Sequence, residues 1–148
     1  KNTMGLRFFT VYGPWGRPDM ALFTFANKIV AGEPIDIYNY GDMKRDFTYV
    51  DDIVQGIFGL LDQIPEGDEI FNIGYGKQVG LMEFITEIEK NLGRVAEKNF
   101  LPMHPADSQE TWSDTSKLYN LTGYNPKTSV VDGVKEFIDW YKSFYKVN

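Results

Sequence analysis

The chain of 148 residues contains no cysteine and a single histidine, His104. Without cysteine there is no disulfide framework, no thiolate nucleophile and no cysteine-based zinc site, and the composition suits a reducing compartment. One histidine cannot build a multi-histidine metal site, and beside Pro102 and Pro105 it reads as a surface residue. Positive charge is scarce, with 15 Lys and Arg against 21 Asp and Glu and a net charge of -6. That balance argues against nucleic acid, which is gripped by clustered basic side chains. Long apolar runs are missing as well. Residues 53–61 are interrupted by Gln55, Gly56 and Gly59 and fall far short of the roughly 18 residues a membrane span needs. Residues 1–9 lack a signal-peptide layout, since the apolar stretch is short and holds Arg7. No G-x-G-x-x-G or Walker sequence follows a strand pattern, so the chain carries no phosphate loop of either kind.

What is present describes a folded domain. Hydrophobic positions make up 43% and charged ones 24%, without low-complexity tracts, which excludes a disordered chain and suffices for one core. Aromatics reach 16%. That excess fits either a surface that holds sugars or nucleobases, or simply an aromatic core.

The pattern alternates strands with helices and predicts an α/β or α+β class. Residues 6–12 read as a strand ending at Gly13-Pro14, followed by a Gly- and Pro-containing loop and a helix from about Pro18-Asp19 to Gly32. Short extended pieces cover residues 35–39 and 45–50. Thr48 with Asp51 resembles a capping box opening a helix whose buried face would be Ile53, Ile57, Phe58 and Leu61, closed by Pro65. A strand over 69–73, a helix over 81–92 stopped by Gly93, a short strand over 99–103 and a short helix over 114–121 follow. The last helix runs over about 130–146, capped by Ser129 and Asp132, with Val134, Phe137, Ile138, Tyr141 and Tyr145 inward. Only four or five strands are visible, and residues 6–12 are apolar on both faces, as a strand central to a larger sheet would be. The chain is therefore expected to be cut from a longer one.

Few residues carry chemistry by pattern alone. Tyr40 and Lys44 have Tyr-x-x-x-Lys spacing, but Gly41-Asp42 between them makes a turn, so they do not share a helix face. Arg45, at a strand start among Tyr38, Tyr40, Phe47 and Tyr49, could fork onto a phosphate or carboxylate, or pair with Asp42, Asp46 or Asp51. Arg17, in its loop near Trp15, is a second candidate for an anion. Asp51-Asp52 could be a carboxylate pair, although helix capping accounts for both.

Whole stretches say more. Gly5-Leu-Arg-Phe-Phe-Thr-Val-Tyr-Gly-Pro-Trp-Gly-Arg-Pro-Asp-Met-Ala21 resembles the NAD-dependent nucleotide-sugar epimerases and dehydratases of the extended short-chain dehydrogenase/reductase family. Within it, the likeness is strongest to UDP-glucuronate 4-epimerases of capsular polysaccharide synthesis. It continues through Ile37-Tyr-Asn-Tyr-Gly41, Arg45-Asp-Phe-Thr-Tyr-Val-Asp-Asp-Ile53, Phe71-Asn-Ile-Gly74, Glu110-Thr-Trp-Ser-Asp-Thr-Ser-Lys117, Gly123-Tyr-Asn-Pro-Lys-Thr-Ser129 and Asp139-Trp-Tyr-Lys142.

The resemblance implies that residues 1–148 are the C-terminal, substrate-binding portion of a Rossmann-like α/β enzyme. The NAD loop and the catalytic Tyr and Lys would lie upstream, and no catalytic residue lies in this chain. By the same likeness Phe9 and Val11 would lie near the nicotinamide, Thr10 would face the sugar, and Arg17 would attend the uronate carboxylate. Tyr38 would lie against the uracil, Arg45 would pair with the diphosphate, and Asp107 would hold the ribose hydroxyls. Some relatives place an Arg where this chain has His104, so Arg45 is expected to carry most of the charge there. A UDP-glucuronate decarboxylase, another nucleotide-sugar dehydratase or a non-enzymatic nucleotide-sugar-binding module are the alternatives. The full-length protein is expected to be a cytoplasmic homodimer without a membrane span. This chain alone is expected to be inactive and to self-associate through unpaired strand edges.

Overall fold

The structure is a computed structural model that describes residues 2–147. It is a mixed α/β fold, as the alternating pattern predicts. Among the described residues there are eight strands, most of three residues or fewer, where the sequence suggests four or five.

The strand expected over residues 6–12 is in fact two, β1 (Thr3–Phe8) and β2 (Thr10–Tyr12). The break falls at Phe9, whose carbonyl accepts from Val11 N at 2.9 Å in a three-residue turn. That turn hands the chain to a new partner. β1 runs parallel to β6 (Asp68–Ile73), with Phe8 opposite Ile73. β2 runs parallel to β5 (Phe47–Tyr49), with Thr10 opposite Phe47. The crossover from β5 to β6 is helix α2 (Val50–Leu61). β3 (Ile35–Ile37) pairs in parallel with β8 (Lys98–Phe100), and β4 (Lys44–Arg45) pairs antiparallel with β7 (Val79–Gly80). The expected strands over 35–39, 45–50 and 99–103 are thus all shorter than the pattern suggests.

Helix α1 (Ala21–Ala31) starts later than Pro18-Asp19. Met20 N donates to Arg17 O at 3.2 Å, closing a turn that takes up Pro18 and Asp19, and the helical bonds begin with Thr24 N to Met20 O. Gly32 ends the helix with φ 72, a left-handed cap that glycine adopts without a Cβ penalty.

Helix α2 departs most from expectation. Thr48 does not cap it, because its hydroxyl donates to Asp46 Oδ1 at 2.8 Å. Its inner face is Asp52, Ile53, Gly56 and Leu60, while Phe58 is 62% and Leu61 53% exposed. The two glycines decide this. A Cβ at Gly56 would sit 2.9 Å from Ile73 Cγ2 and 3.1 Å from the Tyr124 ring, and Gly59 lies against Thr122. Close approach of the helix to β6 and to α4 (Ser116–Thr122) requires the glycine side, which turns Phe58 and Leu61 outward.

Helix α3 (Leu81–Leu92) buries Phe84, Ile85, Ile88 and Leu92 as the periodicity predicts and stops at Gly93, φ 69. Helix α5 (Val130–Tyr145) is capped by Ser129, whose Oγ accepts from Asp132 N at 3.1 Å. Its face of Val134, Phe137, Ile138 and Tyr141 is buried, but Tyr145 is half exposed and packs on Trp140 and Phe144.

Two cores result. The larger lies among α1, α3, α5, β2 and β5, where Phe47 and Phe84 stack at 3.9 Å and Tyr12 meets both edge-on. The smaller gathers Ile53, Leu60, Phe71, Ile73, Leu118 and Tyr124 under α2. Part of the aromatic excess is therefore packing, while Trp15, Tyr38, Tyr40 and Trp112 are among the rings left exposed.

Candidate functional site

The larger core leaves a cleft of ≈ 250 Å³ at its polar edge. Its floor includes Phe25, Met43 and Phe47, and around it stand Thr10, Tyr38, Arg45 and Asp107. Four residues from β2, the end of β3, β4 and the segment after β8 thus converge, although they span 97 positions (107 − 10) of sequence.

Arg45 is the centre of its charge. Alternation along β4 puts Arg45 and Asp46 on opposite sides, one toward the cleft and one into the interior. The Arg45 Nη1 donates to the carbonyls of Lys44 (2.9 Å) and Gln109 (3.0 Å), and Nη2 to Asp107 Oδ1 at 2.6 Å. None of the expected neighbours Asp42, Asp46 and Asp51 pairs with it; Asp107, far along the chain, does. The remaining Nε and Nη2 hydrogens have no partner among the described residues. The guanidinium is fixed in place and keeps donors for an anion.

The segment carrying Asp107 lies along β4. Lys44 N donates to Gln109 O and Thr111 N to Lys44 O, and Lys44 Nζ pairs with Glu110 at 3.1 Å. Asp107 N donates to His104 O, and Ala106 N to His104 Nδ1 at 3.2 Å, so the exposed His104 shapes the turn that presents Asp107.

Tyr38 follows β3, partly exposed, with its ring edge-on to His104 at 6.2 Å. Asn39, Tyr40 and Gly41 then all take positive φ (48, 51 and 87). Gly41, at φ 87, lies in the region that favours glycine, and a Cβ there would also crowd the Met82 side chain at 2.9 Å. Tyr40 lies in this tight turn and Lys44 on β4, so the Tyr-x-x-x-Lys spacing makes no helix-face pair, as the sequence indicates.

Thr10 is half-buried, its N–H donating to Asp46 O at 3.1 Å. It also lines a smaller adjoining cavity together with Val11, Gly16 and Arg17. Val11 packs against the smaller core, and Phe9 is half-buried at the break between β1 and β2. Arg17 is exposed on the loop after β2 and forks onto Asp19, Nε to Oδ1 at 3.1 Å. This bond holds the Asp19 carboxyl below its ordinary range and raises the Arg17 guanidinium. Trp15 braces the same loop, at 5.1 Å from the Trp140 ring and 4.9 Å from Phe144.

Asp51 and Asp52 are neither a catalytic pair nor helix caps. Asp51 is exposed, while Asp52 is buried and accepts from Lys127 N (3.0 Å) and Thr128 N (3.1 Å), tying α2 to the start of α5. Two acids, one lining the cleft and one buried behind it, escape the sequence reading as site residues. Asp36 lines the cleft and bonds Asn99 and Lys28. Asp46 is buried directly behind Arg45. An acid between two isoleucines of a strand, and one between Arg45 and the core residue Phe47, were the available signals. No cluster of three or more metal-ligating side chains occurs among the described residues, and no helix there is long and apolar enough to cross a membrane.

Comparison with known proteins bears on this arrangement. The profile of the NAD dependent epimerase/dehydratase family matches residues 2–74. Protein CapI of Staphylococcus aureus is 46% identical over 97% of this chain and 48% of its own length. The probable UDP-glucuronate 4-epimerase of Rhizobium meliloti is 44% identical over the same shares. The crystal structure of UDP-glucuronic acid 4-epimerase from Bacillus cereus, in complex with UDP-glucuronic acid and NAD, superposes with a TM-score of 0.87 at 38% identity. It covers 95% of this chain and 45% of that one. The chain thus spans about half the length of the curated relatives it matches. The profile covers residues 2–74, identity and superposition extend over nearly the whole chain, and the chain belongs to the NAD-dependent epimerase/dehydratase family.

Proposed function

We propose that this chain is the C-terminal, UDP-sugar-binding half of an NAD-dependent UDP-glucuronate 4-epimerase. The observation that carries the reading is the convergence of Thr10, Tyr38, Arg45 and Asp107 on one cleft. Their chemistry suits the parts of a UDP-sugar in order. Tyr38 offers a ring face to uracil, and Asp107 accepts from ribose hydroxyls. Arg45 gives its free donors to the diphosphate, and Thr10 offers a hydroxyl to the sugar.

Arg17 adds selectivity for a uronate. Its pairing with Asp19 is solvent-exposed and therefore weak, so a sugar carboxylate held beside Thr10 competes for the guanidinium. Such a contact has a further use, because a 4-keto uronic acid is a β-keto acid prone to lose carbon dioxide. A carboxylate fixed by hydrogen bonds is kept from the aligned geometry that loss requires.

At the break between β1 and β2, half-buried Phe9 and Val11 flank Thr10 and would offer apolar surface to a nicotinamide ring. When bound, NAD supplies hydride acceptance and return at the sugar C4. The glycine-rich loop and the Tyr and Lys that move the proton belong to an upstream half, without which this chain is inactive. The sheet supports that division. β1 and β6 form a two-stranded parallel pair with Phe8 and Ile70 exposed, whereas parallel sheets are ordinarily covered on both faces. We place the whole enzyme in the cytoplasm as a homodimer, and expect the isolated chain to self-associate through these edges.

The test supplies UDP-glucuronate and NAD to the full-length protein. UDP-galacturonate as product supports the epimerase; release of carbon dioxide with a UDP-pentose indicates the decarboxylase instead. Arg17→Ala should raise KM for UDP-glucuronate about tenfold and leave UDP affinity unchanged.

A further inference from the structure

Asp46 is fully buried and has no cation within ion-pairing distance among the described residues. Burying a carboxylate costs several kcal/mol unless hydrogen bonds compensate, and an apolar side chain in such a place is commonly no less stable. Here the compensation is complete and comes from three separate parts of the chain. Oδ1 accepts from Thr48 Oγ1 (2.8 Å) on β5 and from Tyr75 N (2.8 Å) in the turn after β6. Oδ2 accepts from Gly76 N (3.0 Å) in that turn, and from Ser113 N (2.9 Å) and Ser113 Oγ (2.6 Å) ahead of α4. The packing around it is tight enough to require glycine next door, because a Cβ at Gly74 would lie 2.3 Å from Ser113 Oγ and 3.0 Å from Asp46 Oδ2.

Ser113 ends the same segment whose other end holds Arg45. From Asp46 the connection runs through Ser113 to Thr111 and Gln109, which bond both sides of Lys44, and then to the Gln109 carbonyl and the Asp107 carboxylate on the guanidinium. Adjacent residues on β4 and its extension thus clamp one segment at two points. Asp46 holds it from the interior and Arg45 from the cleft.

We infer that Asp46 is a positioning residue for anion binding, which fixes the 107–113 segment so that Arg45 and Asp107 stand in register for a nucleotide diphosphate. The inference rests on the reading of Arg45 as the diphosphate ligand. It predicts that the effect of Asp46 on binding passes through Arg45, a dependence that a purely structural role lacks.

The test is a double-mutant cycle in the full-length protein, read as UDP affinity by calorimetry carried to millimolar UDP. Asp46→Asn keeps the shape but turns one acceptor into a donor facing N–H groups. It should weaken UDP about tenfold in the wild-type background and less than twofold in an Arg45→Ala background. Equal loss in both backgrounds, or unchanged affinity with only a lower melting temperature, overturns the proposal alone. Wild-type UDP affinity in Arg45→Ala overturns the functional reading and this proposal with it. Should Asp46→Asn not fold, Ser113→Ala removes one of the five donors and keeps the backbone. A loss of about threefold that vanishes with Arg45→Ala supports the inference, and an unchanged affinity overturns it.

Discussion

The guanidinium of Arg45 donates to the carboxylate of Asp107 at 2.6 Å across 62 positions of sequence, and the pair closes one wall of the cleft. Arg45 is mostly covered and Asp107 is half open, so the bond is better shielded than a surface ion pair.

Removing either member should be felt in nucleotide binding before stability. Arg45→Ala is expected to weaken UDP by at least tenfold, ~1.4 kcal/mol or more, since a charge-assisted donor is lost together with the order of the segment. Asp107→Asn keeps an acceptor oxygen and should cost less, about threefold. Titration calorimetry on the full-length variants checks both, and an Asp107→Asn loss larger than that of Arg45→Ala contradicts the assignment of charge.

Asp51 and Asp52, adjacent in sequence, should behave oppositely. Asp52→Ala leaves the amides of Lys127 and Thr128 without an acceptor and should destabilise by about 2–3 kcal/mol. Asp51→Ala, on the exposed side of α2, should stay within about 0.5 kcal/mol of wild type. Urea unfolding of the two variants makes the comparison.

The buried Gly133 of α5 leaves room for a phenol. A Cβ there would fall 2.2 Å from the Tyr12 hydroxyl and 2.8 Å from its ring, in the middle of the larger core. Gly133→Ala should therefore destabilise by about 1–3 kcal/mol despite the better helix propensity of alanine. Tyr12→Phe should recover part of that loss, because its hydroxyl makes only a long 3.4 Å bond to Ser129 O. A thermal melt of the double variant no better than Gly133→Ala alone removes this explanation.

Acid should loosen the cleft wall. Asp36 is held below the ordinary carboxylate range by its hydrogen bonds from Asn99 and Lys28, and Glu110 by those from Gln78 and Lys44. Each binds fewer protons folded than unfolded, so its contribution is present above the unfolded value near pH 4 and is lost as pH falls through the lower folded value. Both carboxylates are solvent-exposed, and the effect is correspondingly modest. Between about pH 5 and pH 2.5 the melting temperature should fall less in an Asp36→Asn, Glu110→Gln variant than in wild type. Circular dichroism melts across that range measure it, and parallel curves contradict the assignment.

Local physics made much of the molecule legible in advance. The apolar period of α3, the serine cap of α5 and the glycine stops at Gly32 and Gly93 depend on neighbours within a turn or two, and each stands where the sequence indicates. The resemblance also named Thr10, Tyr38, Arg45 and Asp107, which the fold brings to one cleft. What the sequence alone could not determine depends on distant groups. The strand over 6–12 divides at Phe9 because its halves meet different partners, and α2 turns Phe58 outward because Gly56 must approach Tyr124. Arg45 chose Asp107 over three nearer acids, and Asp46 found its donors as far away as Ser113. Periodicity and caps act over one helical turn, whereas a buried charge is satisfied by whatever donors the tertiary fold delivers; that delivery, and with it the order of the cleft, was decided only in three dimensions.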